Sequence, residues 1–184
     1  AIEAARAANG MNDLRHHLAH LQVVHPDDVP RFAALGAAAN MPPLWACHEP
    51  QMDELTIPFL GEPRWRWQYP FGDLERAGAR LVAGSDWSVS SPDVMWGAHV
   101  AVTRMPPPDG DDHGGKGPFL PEQSLTLTSV LTAYTQGSAW VNHLDDAGRI
   151  EVGAVGDLVV LDRDPFATPE EIGASRVRST WIDG

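Results

Sequence analysis

The stretch G-A-R-L-V-A-G-S-D-W, residues 78–87, places an acidic side chain directly after a short apolar segment. Residues 80–84 are predicted to form a buried strand, and Asp86 follows at its carboxyl end. Two further apolar segments, residues 14–24 and 37–41, are predicted strands of the same kind. Because helices are predicted between these strands, the order is typical of an α/β protein with a parallel sheet.

The helices are predicted from capping residues, glycine stops and the spacing of apolar side chains. Residues 49–63 are interpreted as an irregular loop, and residues 105–121, rich in Pro and Gly, as a long loop. The predicted helices cover residues 1–8, 29–35, 62–77 (interrupted at Pro70), 92–104 and 124–140. Short β segments are predicted near the end of the chain, which favours a separate β-rich unit there, at residues 150–153, 157–162 and 176–182.

The amino-acid composition argues against several classes of protein. The 184 residues carry 13 Lys+Arg against 25 Asp+Glu, a net charge of −12, and this acidic balance argues against a nucleic-acid partner. Hydrophobic residues make up 43% of the chain, too many for a disordered protein. No apolar run approaches the roughly 20 residues of a membrane span. The single cysteine, Cys47, cannot form an internal disulfide, which weakly favours a cytoplasmic location.

Two residues lie at the carboxyl ends of predicted parallel strands, where α/β proteins place their functional groups. On an extended strand His16, Leu18 and His20 share one face, and His20 lies nearest the carboxyl end. Asp86 occupies the matching end of a later strand, and a buried carboxylate requires a hydrogen bond, a charged partner or a metal ion. Each has a plain alternative, since His20 can be a hydrogen-bonded structural histidine and Asp86 can cap the next helix. The residue pattern alone leaves both interpretations open.

The remaining candidates are weaker. His48 follows the second predicted strand closely enough to reach a site, and Cys47 beside it is a soft metal ligand by type, although a lone cysteine more often fills a core. Ser85 lacks the G-x-S-x-G context of a nucleophilic serine, so a serine hydrolase is disfavoured. The spacing of the acidic residues between 109 and 112 does not match a calcium-binding loop.

Four segments in order carry a family resemblance. They are R-H-x-x-x-H-x-Q-V-V-H-P-D-D (15–28), G-A-R-L-x-x-G-S-D-W-x-V (78–89), A-Y-T-x-G-S-A (133–139) and G-x-I-E-x-G-x-x-x-D-L-V-V-L-D-x-D-P (148–165). Together they resemble the C-terminal part of the metal-dependent amidohydrolase superfamily, in the branch that includes N-substituted formamide deformylase. The resemblance implies the C-terminal half of a TIM-type (β/α)8 barrel, about strands five to eight, in residues 1–147. It also implies part of a small β-sandwich in residues 148–184.

The same resemblance implies the chemistry. It places a divalent metal ion, usually zinc, at the barrel mouth, with His20 as a ligand at the end of the fifth strand. Asp86, at the end of the eighth strand, would bind the metal and carry a proton from metal-activated water to the leaving amine. The implied substrate is a small molecule with an amide-like C–N bond, and neither a nucleic acid nor a membrane is implied as a partner.

Three departures from the family pattern limit this expectation. The chain has no His-x-His pair, its only lysine, Lys116, follows the eighth strand, and Trp45 stands near the position of the sixth-strand histidine. His48 is the candidate substitute ligand. We therefore expect an incomplete metal site and little hydrolysis by the isolated chain. A missing N-terminal half or self-association would complete the site. The competing hypothesis is a non-catalytic α/β scaffold or pseudo-enzyme fragment.

Overall fold

Three short parallel strands form the central sheet in the computed structural model, which describes residues 1–108, 110 and 115–184. The strands are β1 (His17–Ala19), β2 (Ala38–Met41) and β3 (Leu81–Ala83), and they lie side by side in this order. The α/β class and the parallel sheet predicted from the sequence are confirmed. The described residues supply three parallel strands, one fewer than strands five to eight of a barrel would. The acidic residues Asp109, Asp111 and Asp112 lie outside the described part.

Helices surround the sheet at most of the predicted places. The second helix ends at Gly36 in the left-handed conformation (φ 57°), as predicted, because glycine adopts it without steric cost. The helices are α1 (Ile2–Asn9), α2 (Val29–Leu35), α3 (Ile57–Leu60), α4 (Phe71–Arg76), α5 (Val94–Thr103), α6 (Leu127–Thr132) and α7 (Ser138–Val141). Shorter turns complete the set: 3₁₀ turns at Pro26–Asp28, Pro43–Trp45, Arg64–Trp67, Pro121–Gln123 and Pro169–Ala174, and π-helical turns at Gln51–Thr56 and Ala133–Gly137.

The prediction of an irregular loop at residues 49–63 is wrong. The π-helical turn Gln51–Thr56 continues directly into α3. Pro58 lies within this helical segment, and its ring and missing N–H disfavour the regular α-helical hydrogen bond at that point. A local π turn accommodates such a defect without ending the helix, so proline here changes the kind of helix and does not produce a loop.

The end of the chain forms a two-stranded antiparallel sheet. Its strands are β4 (Leu158–Leu161) and β5 (Val177–Trp181), with a register shift between Val160 and Leu161. Two of the three predicted β segments are thus confirmed, whereas residues 150–153 form no strand and residues 151–153 lie in a bend and a turn. The 3₁₀ turn between the strands packs on α5, where the imidazole Nδ1 of His99 lies 2.9 Å from the Glu170 carbonyl oxygen.

The hydrophobic core lies between the sheet and helices α2, α4, α5 and α6. Many of its fully buried side chains come from β2 and from these helices, and they include Ala39, Met41, Phe71, Leu74, Val100 and Val130; Ile172 of the 3₁₀ turn Pro169–Ala174 is equally buried.

The two edges of the sheet are open in the described residues. β1 and β3 have no further strand beside them, and all three residues of β1 are exposed. No helix of the described part is long and apolar enough to cross a membrane.

Replacing Gly137 by Ala is expected to lower the free energy of unfolding by about 1–3 kcal/mol. Gly137 ends a π-helical turn that packs on β3, and a Cβ atom there would clash with the Leu81 carbonyl oxygen. The usual helical preference for Ala over Gly, about 1 kcal/mol, is therefore reversed. Urea unfolding followed by circular dichroism measures the change. In Gly117→Ala the methyl group meets open space, and equal stability of the two variants would contradict the packing argument.

Candidate active site

His20 and Asp86 meet at the carboxyl edge of the parallel sheet. His20 directly follows β1, and Asp86 lies three residues beyond β3. The Nε2 atom of His20 is 3.7 Å from the Oδ1 atom of Asp86, and the two side chains are 56% and 28% exposed. Parallel strands bring their carboxyl ends to one edge, so two residues 66 positions apart become neighbours. Both groups remain open to solvent and to a small ligand.

The backbone around His20 turns sharply. The N–H of Leu21 donates to the Ala19 carbonyl at 2.9 Å, which closes a γ-turn with His20 (φ 67°) at its centre. Leu21 also has a positive φ, 58°. The prediction of one continuous strand over residues 14–24, with His16 and His20 on the same face, is therefore wrong. The left-handed turn interrupts the alternation of side chains along the strand, so His20 does not share a face with His16.

Asp86 belongs to a tight loop that follows β3. Its φ is 62°, and its carbonyl accepts the N–H groups of Val89 at 2.8 Å and Ser90 at 3.2 Å. The Ser138 hydroxyl donates to the Ala83 carbonyl at 2.7 Å, which ties α7 to the end of β3 just before this loop. The alternative that Asp86 caps the next helix is wrong, because the Asp93 carboxylate accepts the first N–H groups of α5.

His48 belongs to a different cluster. Its Nδ1 atom lies 2.6 Å from Asp53 Oδ1, and the Lys116 ammonium is 2.9 Å from the other oxygen of Asp53. Burial acts to raise the pKa of Asp53, but the hydrogen bonds from Lys116 and His48 outweigh it and lower the pKa. His48 lines a cavity of about 290 Å³ beside Trp65 and Phe119, whereas His20 lines a separate one of about 460 Å³.

Asp53 and Lys116 were not predicted from the sequence. His48 precedes the π-helical turn Gln51–Thr56 that contains Asp53, and no spacing pattern in the sequence indicates their contact. Burial raises the pKa of the neighbouring Cys47 thiol to about 12, so it is protonated at neutral pH. The thiol is buried and lies 3.5 Å from the Leu44 carbonyl oxygen, so Cys47 is a core residue in this structure.

Tyr69 is a further residue that the sequence did not single out. It is buried, with a positive φ of 45°. Burial, reinforced by the negative charges of Glu49 and Asp86, raises the pKa of its phenol well above the usual value. The phenol is therefore a neutral hydrogen-bond donor at physiological pH. A single tyrosine within an aromatic stretch gives no sign in the sequence that its side chain is buried beside acidic groups.

The geometry of His20 and Asp86 fits two ligands of one metal ion. Two ligands of zinc, each at roughly 2.0–2.1 Å, are about 3.3 Å apart at the tetrahedral angle. The 3.7 Å between these two donor atoms requires only a small shift. In the described residues, however, no group of three or more His, Cys, Asp or Glu side chains is arranged to hold a metal ion. The pair therefore fits part of a ligand set.

Comparison with known proteins identifies the family. The model of the amidohydrolase family matches residues 1–184, and the chain belongs to this family, which confirms the resemblance seen in the sequence. Over 121 residues it is 28% identical to N-substituted formamide deformylase of Arthrobacter pascens, a match that covers 63% of this chain and 20% of that enzyme. Over 62 residues it is 42% identical to imidazolonepropionase of Bacteroides fragilis, covering 33% of this chain and 15% of that enzyme.

Solved structures share the fold. An uncharacterized metal-dependent hydrolase from Pyrococcus horikoshii OT3 matches with a TM-score of 0.72 and 25% identity, covering 92% of this chain and 32% of that chain. Atrazine chlorohydrolase TrzN from Arthrobacter aurescens TC1, solved with zinc, matches in fold with a TM-score of 0.61 and 21% identity, covering 97% of this chain and 37% of that chain. This chain thus spans about a fifth of the deformylase and about a third of these structures.

Proposed function

We propose that this chain is the C-terminal part of a metal-dependent amidohydrolase that hydrolyses C–N bonds of amide-like small molecules. The observation that carries the proposal is the 3.7 Å separation of His20 Nε2 and Asp86 Oδ1 at the carboxyl edge of the sheet. Catalytic groups of parallel α/β proteins gather at this edge. Membership of the amidohydrolase family and the likeness to a formamide deformylase support a hydrolytic reaction at a C–N bond.

The unpaired edges of the sheet support the proposal that this chain forms part of a barrel. A cavity of about 460 Å³ lies along the exposed strand β1, and its walls include Ile2 of α1 and Phe32 of α2. A closed barrel leaves no strand edge unpaired. We therefore propose that this cavity holds the barrel strand that precedes β1, supplied by a longer chain or by a second copy.

We also propose a different strand assignment for His20, supported by the strand order. Consecutive strands are neighbours in a (β/α)8 barrel, and β1, β2 and β3 are adjacent in that order. If β3, with Asp86, is the eighth strand, β1 is the sixth and not the fifth. His20 is then the sixth-strand histidine, and Trp45, in the 3₁₀ turn after β2, replaces no ligand.

His20 and Asp86 would hold a divalent metal ion, for which zinc suits an imidazole and a carboxylate. When bound, the metal would supply Lewis-acid polarisation of the amide carbonyl. Asp86 would take the proton of the attacking water and deliver it to the leaving amine. Its partial exposure lets substrate and water reach the carboxylate.

Metal analysis of the purified chain tests the proposal. After equilibration with zinc and removal of loosely bound ions, elemental mass spectrometry is expected to find zinc in the wild type and at least about tenfold less in His20→Ala. His17→Ala, an exposed neighbour on β1, is the matched control and should keep its zinc. Equal zinc in all three proteins would favour the non-catalytic scaffold, whereas zinc in none of them would mean that this chain holds only half of the ligand set.

A further inference from the structure

The conformation of His20 needs support from elsewhere in the fold. His20 and Leu21 are consecutive non-glycine residues with positive φ, a backbone conformation that is sterically unfavourable for residues with a Cβ atom. The side chain of Leu21 is buried, whereas the imidazole of His20 is largely exposed. The γ-turn is therefore held by the backbone and by what contacts it, and not by packing of the imidazole.

The segment from Trp67 to Tyr69 provides this support. The N–H of Tyr69 is shared between the carbonyls of Leu21 and Gln22, each at 3.2 Å. Beyond the turn, the Val24 N–H donates to the Trp67 carbonyl at 3.1 Å. These bonds form a short antiparallel contact that fixes the backbone on the far side of His20.

Arg104 in turn holds that segment. Its side chain is 0% exposed, and its Nη1 donates to the Tyr69 carbonyl at 3.3 Å while its Nε donates to the Phe119 carbonyl at 2.8 Å. The guanidinium lies over the rings of Phe71 and Phe119, 5.4 and 5.7 Å from their centroids. Its Nη2 has no hydrogen-bond partner within the described part of the chain.

Such an arginine is a poor source of stability. Burial lowers the pKa of Arg104 to about 10, which reflects the cost of keeping its charge out of water. Well-packed apolar side chains often replace buried charged groups without loss of stability. What Arg104 provides, and an apolar residue would not, is a pair of directed hydrogen bonds to two carbonyl groups.

We propose that Arg104 is a positioning residue for His20, acting through the backbone of Tyr69. The Arg104 bond to the Tyr69 carbonyl, which also accepts the Phe71 N–H at 2.8 Å, helps to fix Tyr69, and the Tyr69 N–H then holds the turn that directs the imidazole toward Asp86. The inference rests on the proposed function insofar as His20 binds metal, but the mechanical link from Arg104 to the turn does not depend on it. No side chain of this link touches the metal or the substrate, so its effect is on geometry.

The test compares Arg104→Met with Arg15→Met. Methionine keeps the apolar contacts with the two phenylalanine rings and removes both carbonyl bonds. Arg15 is the matched control, because it is also buried but bonds to the Trp140 carbonyl and Asp145 near the opposite end of β1. In Arg104→Met, the Leu21 and Tyr69 amides are expected to exchange hydrogen at least about tenfold faster than in Arg15→Met, relative to the global unfolding of each variant.

Zinc titration gives the second readout. Affinity at His20, followed by its imidazole NMR signals, is expected to fall about tenfold in Arg104→Met and to stay unchanged in Arg15→Met. If the wild type binds no zinc at His20, this chain holds only part of the ligand set, and amide exchange alone decides the positioning role. Unchanged exchange of Leu21 and Tyr69 would overturn the inference. Should Arg104→Met not fold, Arg104→Leu, which also removes both carbonyl bonds, is measured by the same exchange criterion.

Discussion

Replacing Asp86 by Asn is expected to reduce amide hydrolysis by about 10²–10⁴-fold in a longer protein that contains residues 1–184 as the end of a complete barrel. Asn has a side chain of the same size. The hydrogen bonds from the N–H groups of Val89 and Ser90 to the backbone carbonyl of residue 86 are retained. Asn cannot accept a proton at neutral pH, and it is a weaker metal ligand than a carboxylate. The ratio kcat/KM for an N-substituted formamide measures the loss, with zinc content determined on the same samples.

Asp93→Asn is the matched control for this experiment. The Asp93 carboxylate accepts the N–H groups of Met95 at 2.8 Å and Trp96 at 3.2 Å at the start of α5. Asparagine caps helices about as well as aspartate, so this variant should keep both fold and activity. An Asp86→Asn protein that retains more than a tenth of the wild-type rate would contradict the role of Asp86 as the proton carrier.

Elements with local signals were predicted well from the sequence. The end of α2 depends on Gly36, and the end of β2 on the prolines that follow it, so a few neighbouring residues determine each boundary. The interpretation of residues 49–63 as an irregular loop failed because these residues form helical turns around Pro58. At Pro58 a change in helical hydrogen bonding accommodates the proline, and sequence pattern alone does not distinguish the two outcomes.

The candidate site was predicted in part, for a topological reason. Parallel strands align their carboxyl ends, so the nearness of His20 and Asp86 follows once both are placed after strands. The γ-turn at His20 does not follow, because bonds from Tyr69 hold it across 48 positions of sequence. The bonds of Arg104 and the ion pair of Asp53 with Lys116 are equally non-local. Periodicity reports which face of an element is buried, and it carries no information on such pairings.

Phe71 connects the core with the support of the His20 turn. Its side chain is 0% exposed, its ring is 5.9 Å from that of Tyr69, and the Arg104 guanidinium lies over it at 5.4 Å. Its N–H also donates to the Tyr69 carbonyl at 2.8 Å. Loss of this ring would leave a cavity under the buried guanidinium and remove a contact of Tyr69.

Replacing Phe71 by Ala is therefore expected to lower the free energy of unfolding by about 3–5 kcal/mol. Single domains have only about 5–15 kcal/mol of stability, so the variant should be partly unfolded at 37 °C. Thermal and urea unfolding measure the effect, and Phe59→Ala is the control, because its ring is 80% exposed and should change stability by less than about 0.5 kcal/mol. Equal stability of the two variants would mean that the core does not depend on Phe71, and the Arg104 support would then lack the rigid base on which its positioning role depends.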